Sequence, residues 1–296
     1  MIHAPASRPE WCTARGRLSL DRPVLVGILN VTPDSFSDGG RHDRVEAAVT
    51  HAERLLSEGA AIIDIGGEST RPGAHEVAAG DEAERVIPVI RAVVKNSPDA
   101  VISVDTTKAD VARRALDAGA AIINDVSAFR LDPALADVVA EHGAGVILMH
   151  SRGTVSTMAS YTHAQYDSVM REVCEELGAA AGKANAAGIR NDAIVLDPGL
   201  GFSKRTEDSF EVLAHLEALV ALGFPVLVGP SRKRFTGDAA GGLPVEDRLE
   251  GTVAACCAAL ERGARLFRVH DVAAVKRGLA VAEAVRNAGR ESWRTS

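Results

Sequence analysis

The sequence is poor in cysteine, in aromatic residues and in long apolar runs, and each shortage closes off a class of protein. Its 296 residues include four cysteines, Cys12, Cys174, Cys256 and Cys257. None forms a C-x-x-C pair with metal-ligand spacing, so the sequence predicts reduced thiols in a reducing compartment rather than a disulfide scaffold or a zinc site. Aromatics make up only 4%, so any core must be built from aliphatic side chains. No stretch approaches the ~20 apolar residues of a membrane-spanning helix. The N-terminal MIHAPASRPEWCTARGRLSL lacks the apolar centre of a secretory signal, and a cytoplasmic protein is expected. Positive charge is also short: 33 Lys+Arg against 40 Asp+Glu give a net charge of −7. No global cationic field is present to hold nucleic acid or an anionic membrane. The motifs G-x-x-x-x-G-K-[ST], H-E-x-x-H and G-x-S-x-G are missing, which removes support for P-loop, zincin and α/β-hydrolase chemistry. The nearest approach to G-x-G-x-x-G is GLGFSK from Gly199, which ends in lysine and falls late in the chain.

What the chain does contain is an alternation. Eight short β-branched runs recur, at Pro23 to Asn30, Ala61 to Gly66, Val101 to Asp105, Ala121 to Asp125, Gly145 to His150, Ala193 to Asp197, Pro225 to Gly229 and Arg265 to His270. A stretch with helical spacing follows each, among them His163 to about Ala187, EDSFEVLAHLEALVALG and EDRLEGTVAACCAALERG. Most of the short runs are nearly all apolar, as strands buried on both faces are. Glycine ends several helical stretches (Gly59, Gly119, Gly143, Gly223, Gly263), where a left-handed residue commonly closes a helix. Eight βα units without a Gly/Ser or Pro linker predict an α/β fold, a single (β/α)8 TIM barrel over residues 23–296, with residues 1–22 as an N-terminal extension. Connections from Thr32 to Asp43, from Ser151 to Thr162 and from Gly237 to Pro244 are loops, the last with little to pack.

In such a barrel the active site lies at the C-terminal ends of the strands. The residues there divide by character. Strands seven and eight end in Gly229, Ser231, Arg232, Lys233, Arg234, Arg268 and His270, an anion-binding side in many barrels; for Arg232 and Arg234 a solvated basic loop serves equally well. Strands three, four and six end in Asp105, Asn124 and Asp197, acceptors that a flat heterocycle with an N–H edge, a metal ion or Lys233 would satisfy. Asp105, before TTKADV, would alternatively cap the next helix. Asn30 precedes a loop rich in oxygen donors (Thr32, Asp34, Ser35, Ser37, Asp38), suited to a hard cation such as Mg²⁺ together with phosphate oxygens, or to turn formation alone.

At these residues the chain resembles the bacterial dihydropteroate synthases, folate-pathway enzymes of the pterin-binding group that sulfonamides inhibit. The resemblance runs through GILNVTPDSFSDGG from Gly27, DIGGESTRPGA from Asp64, SVDTTKADVA from Ser103, INDVSA from Ile123, VILMH from Val146, LDPGLGF from Leu196, GPSRKRF from Gly229 and RVHDV from Arg268. It implies a Mg²⁺-dependent transferase that joins 6-hydroxymethyl-7,8-dihydropterin diphosphate to 4-aminobenzoate, with loss of diphosphate by a dissociative route. By the same resemblance, Asp105, Asn124 and Asp197 hold the pterin edge, with Met149 and Phe202 beside the ring. Lys233 bridges pterin and phosphate, while Asn30, Arg71, Arg268 and His270 hold diphosphate and metal, Asn30 as the metal ligand. Thr70, Pro72, Ser231 and Phe36 shape the aminobenzoate pocket, and Asp34 and Asp38 ride on the first loop. A cytoplasmic homodimer and sulfonamide sensitivity are further implications. Pro230 departs from the small residue expected there and predicts a stiffer loop. Two rivals are a methyltransferase on a related barrel, which needs no diphosphate pocket, and a silent pterin-binding paralogue.

Overall fold

The computed structural model describes residues 9–32, 41–69, 73 and 76–291. Strands β1 (Glu10–Thr13) and β2 (Gly16–Ser19) form an antiparallel hairpin. The eight that follow are β3 (Val24–Asn30), β4 (Ile62–Gly66), β5 (Val101–Asp105), β6 (Ile122–Asp125), β7 (Gly145–Met149), β8 (Ile194–Asp197), β9 (Leu227–Val228) and β10 (Leu266–Val269). They make one parallel sheet in the order β8-β7-β6-β5-β4-β3-β10-β9, and a parallel bridge between Leu196 and Val226 joins its two ends. That closes the expected (β/α)8 barrel, with no exposed sheet edge between β8 and β9.

The helices form the outer layer: α1 (Arg41–Glu58), α2 (Ala79–Asn96), α3 (Ala109–Asp117), α4 (Leu135–Glu141), α5 (Val169–Ala186), α6 (Thr206–Ala214), α7 (Glu217–Val220), α8 (Arg234–Asp238), α9 (Leu249–Glu261) and α10 (Val272–Glu291). All five glycines expected to close helices have positive φ.

Beyond the β1–β2 hairpin and the short α8, which the sequence reading did not give, three boundaries differ in ways the contacts explain. The seventh strand keeps only Leu227 and Val228 in the ladder, while Pro225 and Val226 serve both neighbours: Leu196 N–H donates to the Pro225 carbonyl at 3.0 Å, and Arg265 and Leu266 N–H donate to the Val226 carbonyl at 3.0 and 3.2 Å. Helix α5 begins at Val169 rather than His163, so the preceding connection runs on to Ser168. The run EDSFEVLAHLEALVALG breaks after Ala214. Leu213, Leu216 and Leu219 are all buried at a spacing of three. The chain meets that spacing with tight turns in which Ala218 N–H reaches the His215 carbonyl and Leu219 N–H the Leu216 carbonyl, a geometry that keeps every third residue on one side. The Gly237–Pro244 segment is exposed from Asp238 to Gly242 but anchored at its ends: Gly242 and Leu243 donate to the Gly237 carbonyl, and Arg248 Nε donates to the Leu243 carbonyl at 2.9 Å.

Two apolar clusters divide the interior. The larger packs the helices onto the outer faces of the strands. The smaller lies inside the barrel, where Val24, Val26, Ile62, Ile122, Ile147, Val195, Leu227 and Leu266 meet Trp11 and Leu20. The described part of the N-terminal extension therefore stoppers the barrel floor: Trp11 is fully buried and its indole N–H donates to the Ala193 carbonyl at 2.9 Å. With the floor sealed, the opposite end is the one open to a ligand.

Candidate active site

Strand register explains why particular polar residues meet. In a parallel sheet, residues in register on adjacent strands project to the same face. Asn30 pairs with Gly66, Gly66 with Asp105, and Asp105 with Asn124, so four strands present one level of the barrel mouth. This level shares its parity with Val26 and Ile62 of the inner cluster and therefore faces the interior. Gly66 leaves a gap in the row: a Cβ there would stand 3.5 Å from the Asp105 Cβ and 3.7 Å from the Asn30 Oδ1. Across the mouth, Met149 pairs with Asp197.

The row is held by Arg268 from β10. Its Nε donates to Asp64 Oδ2 at 2.6 Å and its Nη2 to Asp105 Oδ2 at 2.8 Å, while Asn124 Nδ2 donates to the same Asp64 oxygen at 3.1 Å. Asp105 therefore stands at the barrel mouth rather than capping α3, whose Ala109 amide is served by Asp132. Burial pushes Asp105 up to about 7, against the pull of Arg268 and with the push of Asp64. Asp197 accepts the Gly199 N–H at 2.8 Å, and burial raises it to about 6 despite that bond and the nearby Lys233.

Lys233 lies on the same mouth, its Nζ 3.5 Å from the centroid of the Phe202 ring. Burial pushes its ammonium down to about 7, with Asp197 opposing the shift. Gly201 makes the stack possible, since a Cβ on it would come within 3.1 Å of the Lys233 Cδ and its φ is +74°. Gly199 is constrained more severely: a Cβ would lie 2.0 Å from the His150 carbonyl oxygen. The GLGF run is thus a turn that lets β8 close onto the end of β7. Met149 and Phe202 share an apolar patch with Val126, Val155, Met158 and Leu131, a surface suited to one face of a flat ring.

On the cationic side, Ser231 accepts the His270 backbone N–H at 3.1 Å, and its hydroxyl lies 3.0 Å from His270 Nδ1. With Nδ1 as the acceptor, the hydroxyl donates to it and Nε2 carries the imidazole proton. Burial, reinforced by Arg268, lowers His270 to about 4 and keeps it neutral. Arg232 turns away into a two-point pair with Asp271, and Arg234 lies over the Tyr161 ring. The solvated-loop alternative describes both better than an anion site does. Pro230 is buried, and its carbonyl accepts the Lys233 N–H at 3.1 Å.

The structure thus brings together Asn30, Asp105, Asn124, Met149, Asp197, Phe202, Gly229, Ser231, Lys233, Arg268 and His270. Asp34, Phe36, Asp38, Thr70, Arg71 and Pro72 lie outside the described residues. Sequence reasoning placed Asp64 at a strand end without a role, though it holds two members of the site, and passed over Lys204, a fully buried lysine beneath the GLGF turn. The lysine that spoils GLGFSK as a nucleotide fingerprint was its available signal. Lys108 was also missed; it bridges Glu68 and Glu82 behind β4 and β5.

A closed barrel whose mouth sets carboxylates and an amide beside an apolar shelf, opposite fixed cations, defines an enzyme that binds a polar heterocycle bearing an anionic group. Comparison with known proteins agrees. The sequence profile of pterin binding enzymes matches residues 26–270. Dihydropteroate synthase from Synechocystis is 45% identical over 264 residues, 89% of this chain and 90% of that protein. Dihydropteroate synthase from Xanthomonas albilineans, solved with 4-aminobenzoic acid, superposes with a TM-score of 0.87 at 48% identity, covering 95% of this chain and 99% of that one. A structure from the same organism with 7,8-dihydropteroate gives 0.84 at 46% identity, covering 94% and 99%. The chain belongs to the pterin-binding enzymes, in the dihydropteroate synthase family. It is a transferase of folate biosynthesis.

Proposed function

We propose that this barrel condenses 6-hydroxymethyl-7,8-dihydropterin diphosphate with 4-aminobenzoate, giving 7,8-dihydropteroate and diphosphate. The observation that carries the reading is the aligned row of Asp105 and Asn124 facing Asp197, with Lys233 over Phe202 between them and the cationic side. The amine and ring N–H groups of the pterin donate to Asp105 and Asp197, while the Asn124 amide supplies both donor and acceptor. Phe202 and Met149 lie along the ring, and Lys233 faces the ring edge and the phosphate. Ser231, Arg268 and His270 hold the diphosphate with Arg71, and Thr70, Pro72 and Phe36 line the aminobenzoate side. Asp34 and Asp38 act from the first loop.

The methylene C–O bond breaks with its electron pair leaving on diphosphate, and the resulting cation is stabilised by the pterin. The aniline lone pair then forms the C–N bond, and its nitrogen releases a proton. Fixed cations aimed at the departing oxygen favour this charge separation without reorganising. The carboxylates at the pterin edge stabilise the cation.

Mg²⁺ would be held by Asn30 and by diphosphate oxygens. Among the described residues no group of three or more His, Cys, Asp or Glu is placed to hold a metal. An Asn oxygen with phosphate fits, because Mg²⁺ keeps several waters and takes few protein ligands. When bound, the ion neutralises diphosphate charge. No described helix is long and apolar enough to cross a membrane. Cytoplasmic residence, homodimer assembly and competition by sulfonamides at the aminobenzoate side complete the proposal, supported by family membership.

The test is an assay of purified protein with both substrates and Mg²⁺, each omitted in turn, following diphosphate and dihydropteroate by chromatography. Equal amounts of both products support the synthase. Diphosphate without dihydropteroate points to an altered aminobenzoate pocket near Pro230. Neither product, with pterin still bound, would establish a silent paralogue.

A further inference from the structure

A lysine buried to 1% of its surface is costly unless its charge or its hydrogen bonds serve a purpose. Lys204 Nζ lies 2.8 Å from His150 Nδ1, 3.3 Å from the Gly199 carbonyl and 3.2 Å from the Phe202 carbonyl. An ammonium has three N–H donors, and these acceptors use them all. None is left to reach a substrate.

The acceptors have a common feature. Gly199 and Phe202 bracket the turn that carries the Phe202 ring under Lys233, and His150 directly follows Met149, another side chain of the apolar shelf. The turn needs holding, because Gly199, Gly201 and Ser203 all have positive φ. Accepting at Nδ1 leaves the His150 proton on Nε2, which faces Glu176 Oε2 at 3.1 Å. Glu176 is in turn engaged by Arg152. Ser203 is bound to the same loop through the Arg152 backbone, and its carbonyl accepts the Tyr166 hydroxyl at 2.8 Å. A chain of contacts thus runs from α5 to the floor of the pterin shelf.

We propose that Lys204 is a positioning residue of the synthase site: its ammonium locks the Gly199–Ser203 turn so that Phe202 stands under Lys233 and Met149 stays level with it. This role rests on the synthase reading of that site. Burial, only partly offset by Asp197 and Glu176, pushes Lys204 down to about 7, but the role follows from the three hydrogen bonds.

The test is a double-mutant cycle on the full chain with Lys204→Met, Phe202→Ala and the double variant. It reads kcat and KM for each substrate, with thermal unfolding beside them. Lys204→Met is expected to raise KM for the dihydropterin diphosphate by between about tenfold and a hundredfold. KM for 4-aminobenzoate stays within about twofold. The double variant is expected to be no worse than the worse single variant, since both changes act through one ring. A pterin KM equal to wild type in folded Lys204→Met, or effects that multiply in the double variant, overturns the role. If Lys204→Met does not unfold cooperatively, Lys204→Gln replaces it and the same coupling is required. Wild-type protein that makes no dihydropteroate overturns the synthase reading and this role with it. Wild-type synthesis with uncoupled variants overturns the role alone.

Discussion

Arg268 Nη2 donates to Asp105 Oδ2 at 2.8 Å, joining the end of β10 to the end of β5 across the barrel mouth. The same guanidinium holds Asp64, whose second carboxylate oxygen has no partner among the described residues. Arg268→Ala would leave two carboxylates facing one another with little solvent. The expected loss is about 3 kcal/mol of stability, the scale for breaking one side of a buried pair, together with loss of synthesis. Urea unfolding beside the activity assay measures both; a variant as stable as wild type contradicts the assigned ion pair.

Lys233 makes its cation–π contact with Phe202 in a mostly desolvated place. If it acts as a single donor to the leaving group, Lys233→Ala raises the barrier by roughly 2.7–4 kcal/mol. Steady-state turnover unchanged in that variant would remove Lys233 from the mechanism.

Asp197 is raised to about 6 by burial. Its acceptor role requires the ionised form, which prevails above that value and is lost below it. With Asp105 raised to about 7 in the same acceptor role, kcat/KM for the pterin substrate is therefore expected to fall as pH drops below about 7 and more steeply below about 6. A flat profile down to about pH 4.5 would mean that ionised Asp197 is not needed.

His270 is lowered to about 4, chiefly by burial. The folded protein therefore binds fewer protons at this site than the unfolded chain. The contribution to stability is complete above the unfolded value near 6.5 and is lost as pH falls through about 4. On the same protonation Nδ1 turns from acceptor to donor, so its contact with the Ser231 hydroxyl reverses direction. His270→Gln should flatten that part of the stability profile, read as the difference in unfolding midpoint between wild type and variant across the window. Identical slopes in the two proteins would show that His270 does not titrate this way.

Trp11 is expected to behave as part of the core although it precedes the first barrel strand. Trp11→Ala removes a fully buried indole and its hydrogen bond to Ala193, at a cost of about 3–5 kcal/mol. The C-terminal mouth lies at the other end of the strands, so folded variant should keep its KM for both substrates. A variant within about 1 kcal/mol of wild type would show that the hairpin is not a stopper.

By itself the sequence determined the eight barrel strands, most of the outer helices and their glycine ends, and which residues stand at the strand ends. The reason is local: apolar runs, turn residues and strand-end polar groups such as Asp105, Asn124 and Asp197 are read from neighbours in the chain. It also carried the family resemblance, because DIGGESTRPGA, LDPGLGF and RVHDV are contiguous. Tertiary structure alone decided the register that lines up Asn30, Gly66, Asp105 and Asn124. It also decided the partners of Arg268, the turn of Arg232 toward Asp271, the seating of Trp11 in the barrel floor and the burial of Lys204. These depend on which distant segments closure of the barrel brings within hydrogen-bond range. Arg268 and Asp64 are 204 residues apart, and no local pattern specifies that pairing.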